Sequence, residues 1–168
     1  LEPASGEHSV AMLLGLGRPH PRLHAGWAAP LVGVVTFFLA SGLQAILPGE
    51  DRVPELERLL SAPEGFAIVS LLAVVVAPLG EELFFRGFLY PPARARFGAA
   101  GAIAFNALLF SAAHGITYGP EVGFLAPLFL MGAVVAFLRE AGGSVWPCIW
   151  THAAFNATSL VLAGARLS

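Results

Sequence analysis

The stretch Gly80–Pro92, GEELFFRGFLYPP, is the most informative part of the sequence, because it sets three ionisable residues directly after a charge-free and mainly apolar run. That run, residues 65–80, is too short to cross about 30 Å of hydrocarbon unless its helix continues through Glu81, Glu82 and Arg86. Ionisable side chains inside a membrane are costly and usually mark a functional site. The stretch therefore predicts a spanning helix with a polar site at membrane depth.

The composition of the whole chain also indicates a lipid environment. Of its 168 residues, 57% are hydrophobic and 12% are charged, and the mean hydropathy is +0.75, whereas soluble domains are about 45–50% apolar and about 25% charged. The net charge of −2 offers nothing to attract nucleic acid. Cys148, the single cysteine, can form neither an internal disulfide nor a thiolate cluster. We expect a multi-pass integral membrane protein, in a prokaryotic cell membrane by its composition, that contacts lipid and no nucleic acid.

The charge-free runs predict an all-α, polytopic transmembrane bundle. About five spanning helices are expected, near residues 26–47, 66–90, 101–118, 122–139 and 144–165. The Pro91-Pro92 pair is expected to end the second helix, because proline lacks a backbone donor and clashes with the preceding turn. The charges and three prolines of residues 48–63 suit an aqueous loop with one surface turn.

The chain begins at Leu1 rather than at a methionine, and its first residues do not show the basic start and small-residue cleavage site expected of a secretory signal. We therefore expect one membrane domain, residues 1–168, that is truncated at its start, with Val10–Gly17 as the tail of an upstream helix. The motifs lie in a core at residues 66–166. The arginine bias favours a start on the inside, with Arg18, Arg22, Arg94, Arg96 and Arg139 on that side against Arg52, Arg58 and Arg166.

Polar residues inside the apolar runs recur at a spacing of four, which places them on one face of a helix. The pairs are Glu82 with Arg86, Phe110 with His114, and His152 with Asn156. The first pair predicts an ion pair. Its purely structural interpretation is a buried ion pair that fixes the position of one helix. The last pair puts an imidazole beside a carboxamide.

Helix rise places three of these groups at one depth. At 1.5 Å per residue, Glu81 lies about 14 Å, His114 about 20 Å and His152 about 12 Å from helix ends that face the same side in the expected orientation. The carboxylate and both imidazoles are thus predicted to meet in the middle third of the bilayer. There a carboxylate can serve as a general base, an imidazole can share the proton of a water molecule, and an imidazole with a carboxamide can stabilise an oxyanion. Such a set is sufficient for water to attack an amide carbonyl.

These residues resemble the motifs of the type II CAAX prenyl endopeptidase family, also called the CPBP or Abi family of intramembrane proteases. The resemblance rests on EExxxR, FxxxH and HxxxN, in that order, between Glu81 and Asn156. It implies a glutamate-dependent endopeptidase in which Glu81 and His114 activate water, and His152 and Asn156 form the oxyanion site. Glu82, Arg86 and Phe110 are then supporting residues, although Glu82 is also a candidate for the second half of the functional pair.

Three alternatives to this hydrolase remain open at the level of sequence. Glu81, His114 and His152 have the composition of a zinc site with an open fourth position, although no HExxH is present and the favoured site holds no cofactor. A non-proteolytic immunity or scaffolding protein of the same fold is the second alternative. A small transporter is the third, although no inverted repeat is visible. The resemblance suggests a peptide or protein substrate cut near a lipid-embedded or lipidated C-terminus.

Overall fold

The computed structural model describes residues 10–18, 28–48 and 54–167, and within those ranges the secondary structure is helical without a strand. Its elements in chain order are α1 (Val10–Leu13), α2 (Ala28–Ile46), α3 (Pro54–Leu60), α4 (Pro63–Leu71), a first π-helical segment (Leu72–Val76), α5 (Ala77–Glu82), a second π-helical segment (Leu83–Leu89), α6 (Tyr90–Tyr118), α7 (Val122–Gly142) and α8 (Trp146–Leu167). The predicted all-α bundle is confirmed. The surface turn expected within residues 48–63 is α3.

Three helices of the described part are long and apolar enough to cross a membrane: Ala28–Ile46, Pro63–Ile116 and Val122–Gly142. The second is 54 residues long and covers the predicted span 66–90 and most of the predicted span 101–118, which are joined at a bend. Helix α8 is long enough but does not reach the same apolarity. Exposed aromatic side chains such as Phe38 and Phe88, at 58% and 62% exposure, cover the outside of the bundle, as expected for a chain embedded in lipid.

The predicted helix end at Pro91-Pro92 is wrong, and the break comes at Gly98. Both prolines lie in the first turn of α6, immediately after the second π-helical segment. The backbone is helical on both sides of this point, and the prolines are accommodated because the π-helical segment already interrupts the regular ladder of backbone hydrogen bonds. Gly98 has φ 70° and ψ −179°, a conformation that only glycine adopts readily. The chain therefore turns at Gly98 before the helix continues.

Residues 10–18 also differ from the expected helix tail, because only Val10–Leu13 is helical. The chain then packs on the turn between α7 and α8. The amide of Val145 donates to Gly15 O, the hydroxyl of Ser144 to Gly17 O and the indole of Trp146 to Leu16 O, at 2.9, 2.7 and 3.1 Å. These donors satisfy carbonyls that a helix would have used.

Helix packing positions the site. Helices α2 and α8 lie so close that a Cβ at Gly33 would clash with Thr151 O, and the Phe37 and Phe155 rings meet edge to face. Helices α6 and α7 pack around Phe110 and Met131, which are buried in the core. Arg22 and Arg52, used for the orientation prediction, lie outside the described residues, and that orientation stays a prediction.

Candidate active site

The predicted ion pair between Glu82 and Arg86 is present and fully buried. Arg86 Nη1 lies 3.1 Å from Glu82 Oε1, and both side chains have 0% exposure. Arg86 Nη2 donates to Gly132 O on α7 at 2.9 Å, and the guanidinium stacks over the Phe110 ring with its Cζ 4.8 Å from the centroid. The arginine thus ties the α5 end to both α6 and α7.

His152 on α8 contacts both glutamates. Its Nδ1 lies 2.8 Å from Glu82 Oε1, the same oxygen that accepts from Arg86, and its Nε2 lies 3.9 Å from Glu81 Oε2. Because an ionised carboxylate only accepts hydrogen bonds, the proton between His152 and Glu82 belongs to Nδ1. The ring is therefore held with Nε2 towards Glu81.

His114 on α6 approaches the same oxygen from another side. Its Nε2 lies 4.0 Å from Glu81 Oε2, and its Nδ1 lies 2.9 Å from the backbone oxygen of Phe110. A carbonyl can only accept, so Nδ1 carries the proton and, in the neutral ring, Nε2 carries the lone pair. Both imidazoles are thus oriented by an oxygen acceptor at Nδ1.

Glu81 is the point at which the two imidazoles meet. Its side chain is 30% exposed, while its Oε2 atom is buried without a hydrogen-bond partner. Separations of 3.9 and 4.0 Å from that oxygen to His152 and His114 exceed a direct hydrogen bond and suit a bridging water molecule. The meeting of these three side chains is the arrangement that the depth argument predicts.

Asn156 lies one turn beyond His152 on α8, and its Nδ2 donates to Ala73 O at 2.7 Å. Ala73 belongs to the first π-helical segment. One of the two amide protons of Asn156 is thus committed to the helix that carries Glu81.

The ring of Phe110 packs directly against polar side chains of the site. Its ring centroid lies 4.6 Å from that of His114 and 5.7 Å from that of His152, and its side chain is fully buried. The ring also lies under the Arg86 guanidinium, so it contacts three polar side chains of the site, and its supporting role stays a prediction.

A cavity of about 590 Å³ exposes this cluster. Glu81, His114, His152 and Asn156 form part of its wall, and most of the remaining wall is apolar and comes from α2, α7, α8 and the helix around Ala73. The wall reaches Gln44, near the end of α2, and Ser159 on α8. The cavity therefore extends from Glu81 towards the end of the bundle at which α2 ends. Its apolar walls fit a segment of peptide or lipid.

Two residues that donate to backbone oxygens of the second π-helical segment were missed from sequence. Asn106 is fully buried on α6 and donates from Nδ2 to Phe85 O at 2.9 Å. Arg139 on α7 donates from Nε to Arg86 O at 3.1 Å. An asparagine inside a charge-free run was the one available signal, whereas nothing marked Arg139 as more than a helix end.

Among the described residues, no group of three or more His, Cys, Asp or Glu side chains is arranged so that it could hold a metal ion. In the trio considered as a zinc site, the Nε2 atoms of His152 and His114 lie 3.9 and 4.0 Å from Oε2 of Glu81, and the expected absence of a cofactor stays a prediction.

Fold and site together define a membrane-embedded helical bundle with a glutamate and two histidines in its wall, and comparison with known proteins places it in a family. The family model for type II CAAX prenyl endopeptidase Rce1-like proteins matches residues 63–158, more than half of the chain, including all the motif residues. The chain belongs to this family, whose name is that of a CAAX endopeptidase.

One curated relative is an uncharacterized 24.3 kDa protein of Escherichia coli, which is 34% identical over 77% of this chain. The match covers 58% of that protein, so the chain spans less than two thirds of its relative's length. No solved structure matches the chain.

Proposed function

We propose that this chain is an intramembrane endopeptidase that hydrolyses a peptide bond with a water molecule activated by Glu81 and His114. The observation that carries the proposal is the approach of His114 Nε2 and His152 Nε2 to one Glu81 oxygen, at 4.0 and 3.9 Å, on the wall of a cavity within apolar helices. Family membership supports a hydrolase.

The first step begins with water held between Glu81 Oε2 and His114 Nε2. Glu81 takes one proton as the water oxygen attacks the carbonyl carbon, and the electron pair of the C=O bond moves onto oxygen. Held in place by its Nδ1 bond to Phe110 O, His114 accepts a hydrogen bond from the second O–H of the water, whose proton stays on that oxygen, and so orients the attack. This step forms one C–O bond and an oxyanion.

The oxyanion is stabilised by His152 and Asn156. His152 donates from Nε2 when its ring is doubly protonated, and Glu82, 2.8 Å from Nδ1, holds the ring in the orientation that this donation needs. Asn156 contributes the amide proton that is not committed to Ala73 O. Donors aimed at the developing charge in a water-poor site are usually the largest catalytic term.

The second step breaks the C–N bond. The oxyanion collapses to a carbonyl, and the proton held by Glu81 passes to the departing nitrogen. The products are a carboxylic acid and an amine, and Glu81 returns to its ionised state. The role of Glu82 is then to position His152 while neutralising Arg86.

The substrate that suits this site is a peptide or protein whose scissile bond enters the apolar cavity, near a lipid-embedded or lipidated C-terminus. Lipid surrounds the enzyme, and we place it in a prokaryotic cell membrane. The chemistry requires no cofactor, because general base and oxyanion donors all come from side chains.

Comparison of membrane proteomes tests the proposal. Cells that make the wild-type chain are compared with cells that make Glu81→Gln, and new C-termini are identified by mass spectrometry. Glu64→Gln is the matched control, because Glu64 is an exposed carboxylate at the start of α4. A trimmed protein should appear with wild type and the control and be absent with Glu81→Gln. Identical C-termini in all three would favour the scaffolding or immunity alternative.

A further inference from the structure

The helix that carries Glu81 and Glu82 is α-helical for only six residues, Ala77–Glu82, between two π-helical segments. A π-helical turn widens the helix by one residue and is rare, and such turns concentrate at functional sites. Side-chain donors from neighbouring helices can insert where the regular bonding ladder is interrupted.

Each π-helical segment has carbonyls that accept from side chains of other helices. Ala73 O in the first segment accepts from Asn156, and Phe85 O in the second accepts from Asn106. Arg86 O in the second segment accepts from Arg139. Helices α8, α6 and α7 thus each make one such bond to the segments on either side of the two glutamates.

Asn106 differs from the other two donors, because Asn156 lines the cavity and Arg139 is charged, whereas Asn106 is uncharged and does not line the cavity. It is fully buried, and its Nδ2 bond to Phe85 O, at 2.9 Å, is the hydrogen bond of its side chain, whose Oδ1 has no partner. A side-chain amide buried in an apolar helix interface is costly unless it is hydrogen-bonded. Polar side chains at such positions in a membrane protein usually have a function.

The function of Asn106 follows from the face of α6 on which it lies. Asn106, Phe110 and His114 are successive members of an i, i+4, i+8 series, so they lie along one face of α6 at about 6 Å intervals. Phe110 packs edge to face on Phe85, with centroids 5.3 Å apart, and His114 reaches Glu81. One face of α6 therefore contacts the glutamate helix at three successive levels.

We infer that Asn106 is a positioning residue that fixes the register of α6 against the second π-helical segment and so sets His114 against Glu81. An apolar contact such as Phe85 with Phe110 tolerates sliding, whereas a hydrogen bond to one carbonyl does not. A shift of one helical turn would move His114 about 5.4 Å along α6 and away from Glu81 Oε2. The effect of Asn106 on activity rests on the proposed function, whereas its effect on the position of His114 does not.

The test compares Asn106→Leu, which keeps the side-chain length and removes the donor, with Ser111→Ala. Ser111 is the matched control, because it is also buried on α6 and donates to a backbone oxygen of another helix, Leu125 O, at 2.8 Å. Ring-nitrogen NMR signals of histidine-labelled protein in detergent, with His114 identified by substitution, report its surroundings without an activity assay. Asn106→Ala serves as a second donor-free variant.

The inference predicts that Asn106→Leu or Asn106→Ala shifts the His114 signal and that Ser111→Ala leaves it in place. Once a substrate is known, the donor-free variants should lower kcat by about 100-fold, the loss that about 1 Å of misplacement can cause, with KM little changed. An unmoved His114 signal, or equal shifts in Ser111→Ala, would overturn the inference even in an active enzyme. Failure of both Asn106 variants to fold, with Ser111→Ala folded, would overturn it in favour of a purely structural role. If Glu81→Gln proved active, the proposed function would fall while the His114 signal still decided this inference.

Discussion

His152 and Glu82 are joined across two helices by a hydrogen bond of 2.8 Å between Nδ1 and Oε1, at side chains that are 4% and 0% exposed. The same Glu82 oxygen accepts from Arg86 at 3.1 Å. One carboxylate therefore orients the imidazole that faces Glu81 and also compensates a buried guanidinium. The adjacent glutamates thus have different tasks, since Glu81 faces the cavity and Glu82 faces the protein interior.

Removal of either member of the buried ion pair should be strongly destabilising. Glu82→Gln or Arg86→Met leaves an uncompensated charge at a fully buried position and should each lower the free energy of unfolding by about 3–5 kcal/mol. The double variant should be less destabilised than the sum, because it leaves neither charge unpaired. Unfolding in detergent of all four proteins gives the coupling energy. Additive losses would show that the pair is not coupled.

His114 should matter for the rate and little for stability. His114→Ala removes a partly exposed side chain whose Nδ1 bond goes to its own helix at Phe110 O, while the loss of a residue that orients water should lower kcat by about 10²- to 10⁴-fold. Thr158→Ala is the matched control, since Thr158 also bonds the carbonyl four residues back, at Ala154. The rates are measured on the peptide identified by proteomics. Equal rates for the two variants would contradict the role of His114.

The stability of the protein should depend on the hydrogen-bond donor at position 156. Asn156→Ala removes the 2.7 Å bond to Ala73 O and should lower the free energy of unfolding by about 0.5–1.5 kcal/mol. Asn156→Asp should be worse, because an ionised carboxylate then faces a carbonyl with no proton between them. Thermal unfolding in detergent compares the two variants. A more stable Asp variant would show that the contact with Ala73 is not a hydrogen bond from the amide.

Metal removal should leave the activity intact. Protein purified in chelator-free buffer should hold no stoichiometric zinc, and its cleavage rate should survive dialysis against EDTA, because side chains supply the base and the oxyanion donors. Elemental analysis and the rate before and after dialysis check this. Stoichiometric zinc, with activity lost on chelation and restored on re-addition, would replace the glutamate mechanism by a zinc-dependent one.

The sequence was informative where chemistry depends on helix periodicity. The spacing of four predicted the Glu82–Arg86 pair, and helix rise brought Glu81, His114 and His152 to one depth, where the structure also has them. Both inferences use only the pitch of a helix, which varies little. They did not require knowledge of how the helices pack.

The structural features that sequence did not predict depend on backbone detail. Nothing in residues 72–76 or 83–89 indicates π-helical bonding. That bonding interrupts the regular hydrogen-bond ladder just before Pro91-Pro92, so the helix tolerates both prolines and continues to Gly98. Asn106 was missed for a related reason, since its partner is a backbone carbonyl, which no side-chain pattern reveals.

The central claim is that the Glu81 carboxylate activates the attacking water, and the cleavage rate of purified Glu81→Gln in lipid vesicles tests it most directly. Glutamine keeps the size of the side chain but cannot take a proton, so the account predicts a rate lower by at least about 10²- to 10⁴-fold in a protein whose thermal unfolding matches wild type, with Glu64→Gln fully active. A Glu81→Gln protein that cleaves at the wild-type rate would contradict the account.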